Sequence, residues 1–223
     1  MKISDNYTDY GLHRDAGRYF WCSYQTAVLI SSIMGNSIIL AASTRYNALR
    51  LNKCIVVVLQ HIAVCDLVAC FGYVLPTLIS LIANQWVLGD VIAHIHLYLD
   101  YYSCQTTNCL TCALVCCKLL LLKFPFRTRT WTKRRAHALC ASIWIFANIY
   151  PILRFILDKN GLVFSYISYN INFGLSSNSP IAERIVAYSF TVITEDIPTL
   201  TVVIAICLTL LHLLKSRRLT KRS

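Results

Sequence analysis

An acid inside a long apolar run is the residue type most able to do chemistry in this chain. Asp66 lies midway along one such run, Asp100 lies in the next, and Glu195 and Asp196 stand together in the last. An ionisable group in such surroundings costs several kcal/mol unless it is paired, so it usually faces the interior of a helix bundle. Asn36 lies at a similar depth in an earlier run. Asn36 and Asp66 suit a polar, water-filled cavity or a bound Na⁺. A protonated, hydrogen-bonded Asp66 that only ties two helices together fits the same residues. Asp100 could open onto a vestibule and hold a cationic ligand, with Tyr101 or Tyr102 supplying a cation–π face; as a wet surface acid it would need no ligand. Lys118 is too far along the same run to pair with it, about 27 Å at 1.5 Å per residue. Its long stem can instead snorkel to the headgroups. Glu195 and Asp196 point about 100° apart on a helix and cannot both face one cavity squarely. One of them could pair with Arg184.

The elements that must position these groups are five apolar stretches, at about 21–44, 54–78, 91–122, 136–155 and 185–214. A bilayer core needs about 20 helical residues. Inside lipid the backbone must satisfy its own polar groups, so each stretch is expected to be a helix. With 57% hydrophobic and only 14% charged residues, the chain reads as an all-α, polytopic transmembrane bundle. Pro76, Pro151 and Pro198 fall inside the second, fourth and fifth stretches. Membrane helices tolerate such prolines as kinks. Short loops favour antiparallel neighbours; the fourth loop, about Asp158 to Ala182, is longer.

The net charge of +11 could suggest nucleic acid, but its distribution argues otherwise. Arg45, Arg50 and Lys53 sit in the first loop, and Lys123, Arg127, Arg129, Lys133, Arg134 and Arg135 in the third. Lys215, Arg217, Arg218, Lys221 and Arg222 follow the last stretch, and no acid accompanies any of these groups. The second and fourth loops lack that bias. The positive-inside rule then places segment 1–20 outside and the basic tail, 216–223, in the cytoplasm. Asn6-Tyr7-Thr8 is a glycosylation acceptor on the expected outer side. Residues 1–20 are too polar for a secretory signal, so the first stretch is expected to act as an uncleaved insertion signal. Plasma membrane is the default location for this architecture.

The eleven cysteines do not form a disulfide framework, because nearly all lie within apolar stretches. Cys109 and Cys112 have metal-ligand spacing, but no second such pair accompanies them. Small buried residues at helix contacts explain them better. His61, His94, His96, His137 and His212 are scattered, and no Ser-His or His-Glu constellation converges, so an enzyme is not expected. His61 reads as a helix-contact residue. A transporter or channel using the intramembrane acids is the rival class, although an odd number of spans without an inverted repeat counts against it.

In order along the chain, several short motifs resemble those of rhodopsin-like G-protein-coupled receptors. They are Gly35-Asn36 with Leu40, Leu49-Arg50 with Asn52, Ala63-Val64-Cys65-Asp66-Leu67 with Pro76, and Trp86-Val87-Leu88-Gly89. Lys123-Phe124-Pro125-Phe126-Arg127, Trp144 with Pro151, and Pro198 continue the series. The resemblance covers about Trp21 to Arg218 and implies five helices of a seven-helix receptor. It also implies an outer pocket that binds a small-molecule or peptide ligand, and an inner face that engages a heterotrimeric G protein. Asp66 would be the Na⁺ position. Asp100 falls where amine receptors of the family carry their ammonium-binding carboxylate. Tyr101, Cys104, Thr191 and Thr194 would line the ligand site, and Lys118, Pro125 and Arg127 the G-protein face. No other cofactor is implied.

The departures are specific. Ala93 stands where the family's third-helix disulfide cysteine is expected, and no cysteine lies in the second outer loop to pair with it. Cys117-Lys118-Leu119 replaces the acidic-Arg-Tyr switch, keeping a positive charge without the planar fork of an arginine. Ile206 replaces the fifth-helix tyrosine. No counterpart of the sixth and seventh helices follows the fifth stretch, so a truncated or divergent receptor is expected.

Overall fold

The computed structural model describes residues 11–44, 52–124, 131–157, 162–165, 170–173 and 192–220. Helix α1 runs Gly11–Thr44. Helix α2, Lys53–Ala69, starts where the Asn52 side chain accepts the Cys54 N–H at 2.9 Å, satisfying one of the orphan donors of the first turn. A π turn, Cys70–Val74, joins α2 to α3, Leu75–Ala83. Pro76 explains it. Proline has no N–H to give, and its ring strikes the carbonyl four residues earlier in a regular helix. The chain widens by one residue instead, and the Leu75 N–H reaches back to the Cys70 carbonyl. Asn84 ends α3 in the left-handed region at φ 55°.

Helix α4 spans Gly89–Lys123, and Gly89 at φ +79° makes the turn into it. The Trp86 indole donates to the Gly89 carbonyl at 2.8 Å and pins that turn. Helix α5, Lys133–Leu157, carries Pro151 in its interior. Within the long fourth loop, β1 (Leu162–Ser165) and β2 (Asn170–Phe173) pair antiparallel, with Leu162 opposite Phe173. Their Val, Ile and Phe content suits a strand. A second π turn, Val192–Asp196, precedes α6, Ile197–Thr220. It stands in the same relation to Pro198 as the first does to Pro76.

The described residues are therefore helical apart from one short hairpin. Among the described residues three helical segments are long and apolar enough to cross a membrane: Gly17–Thr44, Lys53–Ala83 and Gly89–Lys123. At 28 residues the shortest is about 42 Å long, against a hydrocarbon core of about 30 Å. Helix α5 covers the expected fourth stretch. Of the expected fifth, the apolar part in α6 is the shorter Ile197–Thr209.

Helix α4 is the hub, packing on α2, α5, α6 and both π turns, while α1 leans on α2 and α3. One core cluster joins Cys54, Ile55, Val57 and Val58 of α2 to Leu110 and Leu114 of α4 and Ala136 and Cys140 of α5. A second, at the other end, joins Leu81, Ala93 and Leu97, with Cys22, Trp86 and Tyr101 against it. Small side chains recur where α5 meets the bundle: Ala136, Cys140 and Ala147 are at most 1% exposed. Small residues allow the close backbone approach that membrane bundles rely on. All eleven cysteines are free thiols, and Cys54, Cys65, Cys70, Cys117 and Cys140 are buried. The outward faces are apolar instead: Ile30, Met34 and Ile38 of α1, and Ile145, Ile149 and Ile152 of α5, stand exposed at helical spacing.

Gly72 fixes the approach of the first π turn to α4. A Cβ there would overlap the Leu99 side chain, whose own Cβ and Cγ would lie at 3.2 and 3.3 Å. Gly72→Val is expected to lower stability by about 1–3 kcal/mol through overpacking. A thermal melt of the detergent-solubilised protein reads this as a lower midpoint, and a variant that melts with the wild type removes the assigned contact.

Candidate functional site

Asp66 stands at the junction of three helices. The Thr107 hydroxyl of α4 donates to its Oδ1 at 3.1 Å, and Asn36 of α1 lies within hydrogen-bonding reach of the same carboxyl group. The buried Asn36 amide is held from its own helix, its Nδ2 donating to the Ser32 carbonyl at 2.9 Å and to Ser32 Oγ at 3.1 Å. One residue before Asp66, the Cys65 thiol points to the Ser103 carbonyl at 3.6 Å. Sequence reasoning paired Asn36 with Asp66 by depth alone. The structure brings them together and adds Thr107 and Ser32, whose hydroxyls gave no sequence signal because such groups ordinarily bond their own helix. The arrangement offers oxygen atoms from three helices, which is the chemistry a hard cation or an ordered water uses.

A second polar locus lies nearer the α3–α4 turn. Tyr73 of the first π turn lies within electrostatic range of Asp100 and Cys104 of α4 and of Tyr24 of α1. The Tyr73 ring stacks on buried His96, with centroids 5.2 Å apart, and His96 in turn meets Trp86 at 5.3 Å. Asp100 thus lies one turn of α4 after the His96 of an aromatic cluster, and a carboxylate near such rings is chemistry a cation can use. Tyr101 packs on the Leu81, Ala93 and Leu97 cluster. Tyr102, about 200° round the helix from Asp100, turns to α5: its ring meets Trp144 at 5.6 Å and its hydroxyl donates to the Trp144 carbonyl at 3.5 Å. Tyr98 stacks on Tyr102 and donates to Asn148. Between the two candidate tyrosines, then, Tyr102 belongs to the α4–α5 seam. The tyrosine that feels the Asp100 charge, Tyr73, comes from another helical segment, and its place in the sequence does not announce this.

Cys104 is exposed, with the Asn108 amide 3.9 Å from its sulfur. Lys118 is exposed, far from Asp100. Asn6, Pro125, Arg127, Arg184 and Thr191 lie outside the described residues, as do the side chains of Thr194 and Glu195. Asp196 is exposed at the end of the second π turn. Cys109 and Cys112 are both half-buried on α4. Among the described residues no group of three or more His, Cys, Asp or Glu side chains is placed to hold a metal ion.

Two features escaped sequence reasoning. Gln105 of α4 is 1% exposed, and neither its amide nitrogen nor its oxygen meets a hydrogen-bond partner among the described residues. It lies two turns before Cys112, which meets Thr201 of α6, so it shares the stripe of α4 that faces the second π turn and α6. An amide in an apolar run is a legible signal, the same one that marked Asn36. The other feature is a contact between His61 of α2 and His137 of α5, which nothing in their sequence separation announces.

No protein-family model and no curated protein matches the chain. The motifs quoted above and the geometry of the two loci carry the functional reading.

Proposed function

We propose that this chain is a plasma-membrane receptor of the rhodopsin-like type, with its N-terminus outside and five membrane passes at about 21–44, 54–78, 91–122, 136–155 and 185–214. In this reading Asp100 takes a cationic amine from outside. The inner end, with Lys118, Pro125 and Arg127, engages a heterotrimeric G protein. Asp66, with Asn36 and Thr107, takes Na⁺, and Asn6 carries a glycan. The three long apolar segments and the acid-free basic loops support the membrane assignment.

The observation that carries the ligand assignment is Asp100 within electrostatic range of Tyr73, whose ring stacks on His96 beside Trp86. A half-buried carboxylate near aromatic rings favours an ammonium group over a neutral or anionic ligand. Nucleotide exchange on a purified G protein, with the chain in nanodiscs and a panel of monoamines, tests the reading. Amine-dependent exchange is the expected result. Amine- or ion-coupled uptake into liposomes without any exchange would move the protein to the transporter class.

A further inference from the structure

We propose that His61 and His137 form a two-histidine site for a zinc-class divalent ion that clamps α2 to α5. His61 Nε2 and His137 Nδ1 lie 3.1 Å apart, with ring centroids at 5.3 Å and planes inclined at 67°. Zinc binds imidazole nitrogen at about 2.0–2.1 Å, so two histidines in a tetrahedral site hold their nitrogens about 3.3–3.4 Å apart. With cis octahedral ligands the separation is about 2.9 Å at the same bond length. The observed distance lies between the two. Chelation therefore needs the rings to turn until their lone pairs converge, and no movement of either helix.

The pair has the chemistry of a ligand set as well as the spacing. In the neutral pair one ring donates its proton to the other. On metal uptake each imidazole keeps a single proton on its far nitrogen, Nδ1 of His61 and Nε2 of His137. The shared proton moves through water to the far nitrogen of the ring that carried it, so the ion takes its place with no net change in protonation. Imidazole suits zinc, copper and nickel, whereas calcium and magnesium prefer oxygen. Trp144 borders the His61 ring at 6.4 Å and helps fix its plane. His137 is exposed, one turn into α5, so an ion can reach it from solvent at that end of the bundle. Among the described residues no third His, Cys, Asp or Glu completes a group with them, which leaves the remaining positions to water. Lys133 and Arg134 lie one turn before His137 on the same face of α5. Their charge opposes a bare cation and favours a hydroxide or another anion in those open positions.

The inference does not rest on the receptor reading, and its test uses no ligand. The full chain in nanodiscs is treated with diethyl pyrocarbonate, with and without Zn²⁺, and each histidine's modification is read by mass spectrometry. Zn²⁺ is expected to slow modification of His61 and His137 at least fivefold and to leave His94 unchanged. In a titration, His137→Ala weakens Zn²⁺ binding at least tenfold. This variant changes an exposed side chain, and His94→Ala serves as the control. Equal modification rates at His137 with and without 100 μM Zn²⁺, a concentration on the order of the weakest binding worth assigning, would overturn the proposal. So would a His137→Ala affinity equal to that of the wild type.

Discussion

Asp100→Asn is expected to lower amine potency about a hundredfold in nucleotide exchange, with surface expression and helix content unchanged. Removing one partner of a desolvated charge pair costs 2–5 kcal/mol, much of it the penalty on the charge left behind. About 2.7 kcal/mol corresponds to a hundredfold change in affinity. Asparagine keeps the size and hydrogen-bonding capacity of the side chain, so the loss reports charge. Tyr73→Leu complements it. That change removes the aromatic ring within electrostatic range of Asp100 and leaves the carboxylate in place, and it is expected to cost about 1 kcal/mol if a cation lies on the ring. An unchanged amine response in Asp100→Asn removes the amine assignment, whatever Tyr73 does. The carboxylate would then be an ordinary acid among headgroups.

Asp66→Asn separates the two roles open to the three-helix junction. The substituted amide still presents an oxygen to Thr107, whose hydroxyl donates to Oδ1 in the wild type. Interhelical side-chain hydrogen bonds in membranes average about 0.6 kcal/mol. Thermal stability without Na⁺ should therefore change by no more than about 1 kcal/mol. Cation sensitivity should change far more. A Na⁺ ion held by the carboxylate and the oxygens around it loses its only formal negative charge, and any Na⁺-dependent rise in melting temperature should vanish in the variant. The comparison is made at equal ionic strength with choline replacing Na⁺. A wild-type protein that melts identically in the two salts leaves Asp66 as a tie between helices and nothing more.

The helices were legible because apolar runs mark them, and their ends were legible only where the sequence punctuates them. Asn52 and Gly89 bound α2 and α4 close to the expected limits. Helix α1 instead begins at Gly11, ahead of the expected first pass, because hydropathy measures how much chain lipid can cover and not where backbone hydrogen bonding starts. Pro76 and Pro198 announced bends without announcing the form they take. At the loci, formal charge was the readable signal. Asp66 and Asp100 stand out in apolar text, while Thr107 and Tyr73 do not, since their roles depend on how two helices are turned against each other. Tyr101 and Tyr102 looked equivalent in sequence and part company only through helical phase. His61 and His137 meet because α2 and α5 cross near them, a matter of packing that no local pattern encodes.

The Cys70–Val74 turn acts as an indexing device as well as a bend. By taking one residue more than an ordinary turn, it rotates everything beyond it by about 100° relative to an unbroken helix. That offset is what sends Thr77, Leu78, Ser80 and Leu81 inward, where all four are buried. Loss of a single residue there would straighten the segment and swing those four side chains toward the perimeter. Chain length at this point is thus as tightly specified as side-chain identity, even though hardly any of the residues in the turn touches either polar locus.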